Sequence, residues 1–355
     1  MVKGSIINLT FLFLLLTSIS VLDKSFHNYE GRPYQEFKKN LSEKEKKDLL
    51  TIMTYNIRFE DLDHGKQSWR YRKEKLINNI ILKLPDILSI QEDSKDQVEY
   101  INEKLKNYNY NYIGVDEFNL PNERQRNTIF YKKNKFELIH QKSIWLNEKG
   151  IKDAIGWDGW SPRSANIIIL KKKENNQKII IANVHLDHKG RKSRLEGMKL
   201  VLNYLDKISI NHINNSIRKI PIFLMGDFNE FPKQYTYNSV IDKNYIDMWN
   251  TCVKFNKNNK CILGEQFFGS FHWYLGSLVN NYFLRKLLMP ISFQHSGGKF
   301  SQWEQYHIDH MFYINGNNTN IIPIYASMPC DDLKMDKSGI FASDHFPLFA
   351  VFKLN

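Results

Sequence analysis

The chain has 355 residues, of which 42% are hydrophobic and 25% are charged. That apolar fraction can form a large core, which excludes a disordered chain, and 17 glycines with 10 prolines exclude collagen-like or proline-rich sequence. The formal net charge of +12 favours anionic partners such as nucleic acid, anionic lipid or phosphorylated small molecules.

Residues 1–20 have the features of a secretory signal peptide. Lys3 precedes an apolar run over residues 6–16, and Ser18 and Ser20 are the small residues expected before a cut after residue 20. An uncleaved signal anchor is the alternative, because the next two residues are also apolar. We therefore expect a protein that is secreted or in the lumen of the secretory pathway, or else a signal-anchored membrane protein.

Residues 21–48 are polar and rich in charge, which predicts a linker or a solvated short helix and no core element. The hydrophobic pattern changes near residue 49, and we expect one catalytic domain over residues 49–355. A basic and apolar segment at about residues 277–302 is an insert in that domain. It could cover a site, touch a membrane or add a helix.

Strand and helix patterns are interspersed along this domain. Alternation and buried apolar runs predict strands at residues 51–59, 86–92, 128–133, 165–171, 178–187, 220–225, 306–314 and 344–352. Helical spacing and end signals predict helices at residues 69–84, 94–105 and 191–208. The mixture of helical and hairpin connections predicts an α/β protein with two packed sheets flanked by helices.

Polar side chains stand at the ends of these strand-like runs. They are Asn56, Glu92, His185, Asp227, Asn229, Asp309, Asp344 and His345. A carboxylate or amide beside a buried strand is unfavourable unless it is paired or binds a metal, so core packing is a poor explanation for the set. Oxygen ligands without cysteine favour Mg²⁺ or Mn²⁺. The two histidines supply a general base and an electrophilic group.

At these residues the sequence resembles the endonuclease/exonuclease/phosphatase superfamily, which has the DNase I-like fold. The shared motifs are Gly-Asp-Phe-Asn at residues 226–229 and Ser-Asp-His-Phe-Pro at residues 343–347. Tyr-Asn-Ile-Arg at 55–58, Gly-Trp-Asp at 156–158 and His-Leu-Asp-His at 185–188 resemble a branch with many secreted bacterial members of undefined substrate. The resemblance implies a four-layer α/β/β/α sandwich of two mixed sheets.

The resemblance also implies a role for each motif residue. Glu92 would be the principal metal ligand, with Asn56 and Asp344 nearby in the metal site. His345 would be the general base that takes a proton from the attacking water. Asp309 would orient and charge that histidine.

The remaining motif residues would act on the substrate. Asp227 and Asn229 would position the water and the scissile phosphate, and His185 would donate to a non-bridging oxygen. Arg163 is a candidate phosphate contact, because a fork of donors suits anionic oxygen, and a structural salt bridge is the alternative.

Two smaller features leave alternatives open. Three tryptophans either line the cleft or anchor loops: Trp157, Trp160 and Trp273. Cys252 and Cys261 could close a small loop by a disulfide in an oxidising compartment, but their spacing does not show it, and Cys330 is left over.

Together these features predict a metal-dependent phosphodiesterase, a monomeric nuclease whose substrate is DNA or RNA. A lipid-directed phosphodiesterase or phosphatase, sphingomyelinase-like or acting on phosphoinositides, is the alternative, because the signal segment and the insert suit a membrane surface. A catalytically inactive binding module would lack Glu92, Asp227 or His345, and the sequence retains all three.

Overall fold

A computed structural model describes residues 34–114, 126–213, 216–264, 269–272, 274, 307–329 and 339–355. The predicted signal segment, the predicted insert, Trp273 and Cys330 lie outside these described residues. Within them, the helices are α1 (Tyr34–Lys39), α2 (Glu43–Asp48), α3 (Trp69–Lys83), α4 (Lys95–Leu105), α5 (Arg191–Ser209), α6 (Tyr235–Ile241) and α7 (Met248–Asn256).

The described strands follow the same chain order. They are β1 (Leu49–Asn56), β2 (Ile87–Gln91), β3 (Tyr110–Ile113), β4 (Ile129–Lys132), β5 (Phe136–Trp145), β6 (Ser164–Lys172), β7 (Lys178–His185), β8 (Ile210–Ile213), β9 (Ser216–Lys219), β10 (Ile222–Asp227), β11 (Ile246–Asp247), β12 (Ile262–Leu263), β13 (Asp309–Ile314), β14 (Ile321–Ser327) and β15 (Leu348–Leu354).

Most of these strands belong to two mixed sheets. One sheet has the order β12-β14-β15-β1-β2-β4-β3, and the other has the order β11-β13-β10-β7-β6-β5. In the first, β1 pairs parallel with β2 and antiparallel with β15. In the second, β10 pairs parallel with β7 and antiparallel with β13.

Apolar side chains cover both faces of each sheet and are buried there. Since successive side chains of a strand point to opposite faces, Ile52 of β1 faces the other sheet while Met53 faces the helices. Helix α3 packs on the outer face of the first sheet through Leu76 and Ile80. Helix α5 covers the second sheet with a set that includes Val201. The predicted α/β/β/α sandwich is confirmed.

The three predicted helices are found within one residue of their expected ends. Ser94 and Gln97 form a reciprocal capping box at the start of α4. Helix α3 ends at Lys83 and is capped by Leu84, whose left-handed conformation (φ 42°) directs the chain away before Pro85.

The interpretation of residues 21–48 as containing no core element is wrong for α1. Tyr34 and Phe37 of α1 are buried, with ring centres 4.8 Å from those of Phe349 and Tyr325, respectively. The charged residues around this helix concealed an aromatic pair at i, i+3 spacing, which places both rings on one face.

Cys252 and Cys261 form a disulfide that joins α7 to the start of β12. Both cysteines are fully buried in the core between the sheets. The disulfide that the sequence left open is therefore present. Among the described residues, no helix has the length and apolar character that crossing a bilayer requires.

Gly226 is the point where β10 requires a residue without a side chain. Its φ is +137°, and a Cβ there would overlap the carbonyl oxygen of Val184 on β7. Because Asp227 follows directly, this close approach also sets the position of a candidate site residue.

We expect Gly226→Ala to lower the free energy of unfolding by about 3 kcal/mol or more, or to prevent folding, since both strain and overlap oppose a Cβ. The control is Gly150→Ala, because Gly150 also has a positive φ (+63°) but has open space where its Cβ would lie. That control should cost about 1 kcal/mol. Urea unfolding measures both, and equal losses would contradict this account.

Candidate active site

The site lies where strands of both sheets end. In the second sheet, Asp227 is paired with His185 on β7 and with Asp309 on β13, so three site residues stand side by side. In the first sheet, Asn56 is the last residue of β1, and Glu92 follows the end of β2. The common strand-end position explains why residues far apart in sequence meet here.

Asn56 joins the two sheets at the site. Its Nδ2 donates to Glu92 Oε1 at 3.0 Å and to Asp227 Oδ2 at 2.9 Å. Its Oδ1 accepts from the backbone N–H of Arg58 at 3.0 Å. In this orientation the amide group holds two carboxylates together, and the predicted role of Asn56 in the metal site stays a prediction.

A buried amide network adjoins the site and is formed by Gln91, the residue before Glu92, and Asn183, two residues before His185. Gln91 Nε2 donates to Asn183 Oδ1 on the facing sheet at 2.7 Å, and Asn183 Nδ2 donates to the Ile90 carbonyl at 2.8 Å. Both side chains are fully buried. These hydrogen bonds fix the two sheets relative to each other and so bring their strand ends together.

His345 and Asp309 form a buried pair. His345 Nδ1 lies 2.8 Å from Asp309 Oδ2. The hydroxyl of Ser270 accepts from the Asp309 N–H at 3.0 Å, and Phe271 packs edge-on against the imidazole at 4.9 Å. The ring is thereby held with Nε2 directed at the other carboxylates, 4.0 Å from Asp227 Oδ2.

His185 is the second site histidine. Its Nε2 lies 3.6 Å from Asp227 Oδ2, and Asn229 Nδ2 lies 3.3 Å from the same nitrogen. Arg163 Nη1 lies 2.8 Å from His185 Nδ1 and 2.9 Å from Nε2, and its Nε lies 3.9 Å from Asp187 Oδ2. Arg163 thus borders the site and also forms an ion pair with Asp187, as expected from the alternative of a structural salt bridge.

Arg58 is a site residue to which the sequence analysis assigned no role. Its Nη1 lies 3.4 Å from Asp344 Oδ2, and its Nε and Nη2 contact Asp63 at 3.2 and 3.3 Å. The Tyr274 hydroxyl donates to the same Asp63 carboxylate. The signal was present in the sequence, since an arginine two residues after Asn56 follows the strand into the site.

The carboxyl groups of the site have shifted pKa values, because they are buried with few positive groups beside them. Burial, reinforced by Asp309, raises the pKa of Asp227 to about 7. Burial also raises the pKa of Asp344, although Arg58 opposes the shift. Burial alone would raise the pKa of Glu92, but the charge of Arg58 and the hydrogen bond from Asn56 oppose burial, and the pKa is lowered.

The two histidines differ in their protonation. Burial and the adjacent Arg163 guanidinium hold the pKa of His185 well below its usual value, so its ring is neutral. Burial opposes the charged form of His345 as well, but the charge and hydrogen bond of Asp309, followed by Asp344 and Asp227, raise its pKa to about 10. With protein groups alone, His345 is therefore an imidazolium at neutral pH.

The donor set fits a hard divalent cation. Asp309 Oδ1 and Asp344 Oδ2 are buried and accept no hydrogen bond from the described residues. Two groups have candidate ligand atoms within 4.8 Å of one another: Glu92, His185 and Asp227, and Asp227, Asp309 and His345. Asp227 belongs to both, so it joins Glu92, Asn56 and Asp344 as a candidate ligand.

No protein-family model matches the chain. Carbon catabolite repressor protein 4 homolog 6 of Arabidopsis thaliana is 27% identical over 222 residues, which are 55% of this chain and 27% of that protein. The CCR4-Not complex 3'-5'-exoribonuclease subunit Ccr4 of Kluyveromyces lactis is 24% identical over 236 residues, 58% of this chain and 29% of that protein. The chain thus matches less than a third of the length of these curated relatives.

Solved structures match over a larger share of the chain. An endonuclease/exonuclease/phosphatase from Bacteroides vulgatus has a TM-score of 0.65 and 20% identity, covering 86% of this chain and 99% of that one. A mannosyl-6-phosphatase from Bacteroides thetaiotaomicron has a TM-score of 0.63 and 21% identity, with the same coverage of both chains. The chain has the fold of the endonuclease/exonuclease/phosphatase superfamily, as its motifs predicted.

Asp309→Asn should lower the pKa of His345 by more than one unit, because the substitution removes the negative charge nearest its ring. An NMR titration of the His345 ring protons in chelator-treated protein measures this shift. The matched control is Ser143→Ala, a change on β5 outside the site. A His345 pKa that stays near 10 in Asp309→Asn would show that the Asp309 charge does not raise it.

Proposed function

We propose that this chain is a divalent-metal-dependent hydrolase of phosphodiester bonds, and that its substrate is nucleic acid. The observation that carries the proposal is the meeting of four carboxylates, two histidines and two amides at one edge of the two sheets. The exoribonuclease named among the relatives supports a nucleic-acid substrate, as does the net charge of +12.

Glu92, Asp344 and Asp227 would hold the cation, with Asn56 orienting two of them. We propose Mg²⁺ or Mn²⁺, because the donors are oxygens on a buried, rigid edge. The bound ion would supply positive charge that neutralises the phosphate oxygens as the bond to the leaving group breaks.

The protein groups divide the remaining tasks. His345 would accept a proton from the attacking water through Nε2, while Asp309 holds Nδ1 and stabilises the imidazolium that forms. A neutral ring is needed first, and the pKa of His345 would fall from about 10 once the surrounding carboxylates are neutralised.

The phosphate would lie between the two histidines. His185 is buried and neutral, so it would donate one hydrogen bond to a non-bridging oxygen. Asn229 would position the attacking water and the phosphate together with Asp227, since Asn229 has a fixed place: its N–H donates to Asp227 Oδ1 at 2.8 Å and its Nδ2 to the Leu186 carbonyl at 3.0 Å. Arg163 would place its positive charge behind His185.

We also propose that the protein is secreted or lumenal, because residues 1–20 resemble a signal peptide and Cys252 and Cys261 form a disulfide.

The lipid-directed alternative stays a prediction, because the insert on which it depends lies outside the described residues. Purified protein assayed on DNA, RNA, sphingomyelin vesicles and phosphoinositides separates the two functions.

We expect His345→Ala to lower kcat for nucleic-acid cleavage by roughly two to four orders of magnitude, the usual contribution of a general base. The control is His140→Ala, because His140 bonds the Tyr204 hydroxyl at 2.8 Å on edge strand β5 and takes no part in the site. Steady-state kinetics with Mg²⁺ measures both variants. Near-normal turnover by His345→Ala would remove it as the base.

Mg²⁺ should raise the melting temperature more at pH 8 than at pH 5. The folded-state pKa of Asp227 is raised to about 7, so without a cation its burial destabilises the protein progressively as pH rises from about 4 to 7. A cation relieves this at pH 8 but must displace a proton at pH 5.

At about 100 times the dissociation constant, Mg²⁺ should add roughly 5 °C at pH 8. Differential scanning fluorimetry measures the shift, and Glu92→Gln should reduce it. An equal shift at both pH values, or an unchanged shift in Glu92→Gln, would place the metal elsewhere.

A further inference from the structure

A group of exposed residues adjoins the site and has no part in the chemistry above. Trp160 and Tyr235 are 62% and 59% exposed, more than any other Phe, Tyr or Trp among the described residues. Each ring has a cation over one face. Lys189 Nζ lies 3.3 Å from the Trp160 ring centre, and Arg191 Cζ lies 3.5 Å from that of Tyr235. We call these four residues the aromatic–cation surface.

The half of this surface that carries Trp160 is fixed to the end of β7. The buried carboxylate of Asp187, two residues after His185, accepts four backbone N–H bonds. Its Oδ2 accepts from Trp160 at 2.8 Å and from Ser161 at 3.0 Å, and its Oδ1 accepts from Lys189 at 2.9 Å and from Gly190 at 2.7 Å. Trp160 and Lys189 are therefore held on a rigid backbone.

The half that carries Tyr235 is fixed to the end of β10. Glu230, the residue after Asn229, accepts through Oε2 from the N–H groups of Thr236 and Tyr237, at 2.6 and 3.2 Å. The buried Arg194 links the two halves, since its Nη1 donates to the Asp187 carbonyl at 2.9 Å and its Nε lies 3.7 Å from Glu230 Oε1.

The surface is continuous with the site through Arg163. Arg163 Nη1 contacts His185, and its Nη2 lies 3.2 Å from Nδ1 of His188, the residue before Lys189. The backbone N–H groups of Trp160 and Lys189 both donate to Asp187, which also lies 3.9 Å from Arg163, so both residues adjoin the place where a phosphate at His185 would lie. Lys192 adds a further exposed positive charge beside Arg191.

We propose that the aromatic–cation surface binds single-stranded nucleic acid, with bases stacked on Trp160 and Tyr235 and phosphates contacted by Lys189 and Arg191. Flat rings alternating with cations match the alternation of bases and phosphates along a strand. In a duplex the base faces are covered, and a lipid headgroup offers a charge but no series of planar groups. The inference rests on the proposed function, since it names the substrate class of that site.

The test measures binding and cleavage separately. Binding of a fluorescent single-stranded oligonucleotide is followed by anisotropy in EDTA, which prevents metal-dependent cleavage. Trp160→Ala and Tyr235→Ala should each weaken binding about tenfold, the equivalent of one stacked base. Trp160→Phe should recover most of the affinity, because it keeps a ring.

The matched control is Tyr71→Ala. Tyr71 is 48% exposed and has Arg70 over its ring at 4.5 Å, but it lies on α3, which covers the other sheet. Its removal should leave binding unchanged. Wild-type affinity in Trp160→Ala and Tyr235→Ala, or an equal loss in Tyr71→Ala, would overturn the proposal.

Cleavage distinguishes this inference from the proposed function. Each variant's kcat/KM for the oligonucleotide is divided by its own kcat/KM for bis(p-nitrophenyl) phosphate, so that a general loss of activity cancels. A ratio reduced about tenfold in Trp160→Ala supports the surface. Wild-type activity on both substrates with an unchanged ratio in the variants overturns the surface alone. If wild type cleaves neither ester but binding still depends on Trp160, the proposed function fails and the surface stands.

Discussion

The burial of negative charge at one edge of two facing sheets is the constraint on which this structure depends. The Asn56 amide bonds both Glu92 and Asp227. The positive groups in contact with the other two carboxylates are Arg58, which pairs with Asp344, and His345, which pairs with Asp309. Burying a carboxylate is unfavourable unless charge or hydrogen bonds compensate it. The raised pKa of Asp227 and the raised pKa of His345 both follow from this excess.

The edge exists because the sheets are held in one relative position. The hydrogen bonds between Gln91 and Asn183 fix β2 against β7, and Asn56, the register partner of Gln91, makes a second connection between the sheets through Asp227. Gly226 permits the close approach of β10 to β7 that sets Asp227 beside His185. A site built on strand ends in this way is rigid before any ligand binds, which favours preorganised electrostatic catalysis.

Much of the site could be predicted from the sequence, because each residue follows an apolar run that reads as a strand. The contacts of Arg58 could not, since its pairing with Asp344 joins residues that are distant in the chain. Strand β5 was missed because its polar, half-exposed pattern at the sheet edge lacks a clear apolar alternation, and α1 because charged neighbours masked Tyr34 and Phe37. The high pKa of His345 is likewise a sum over groups from several strands, which local patterns do not contain.

We propose that these carboxylates assemble around a divalent cation. The most direct measurement is a crystal structure with Mn²⁺, in which the anomalous signal locates the ion. We expect a peak within coordination distance of a Glu92 oxygen and of Asp344 or Asp227. A peak elsewhere on the protein, or none at saturating Mn²⁺ with the site well ordered, would contradict it.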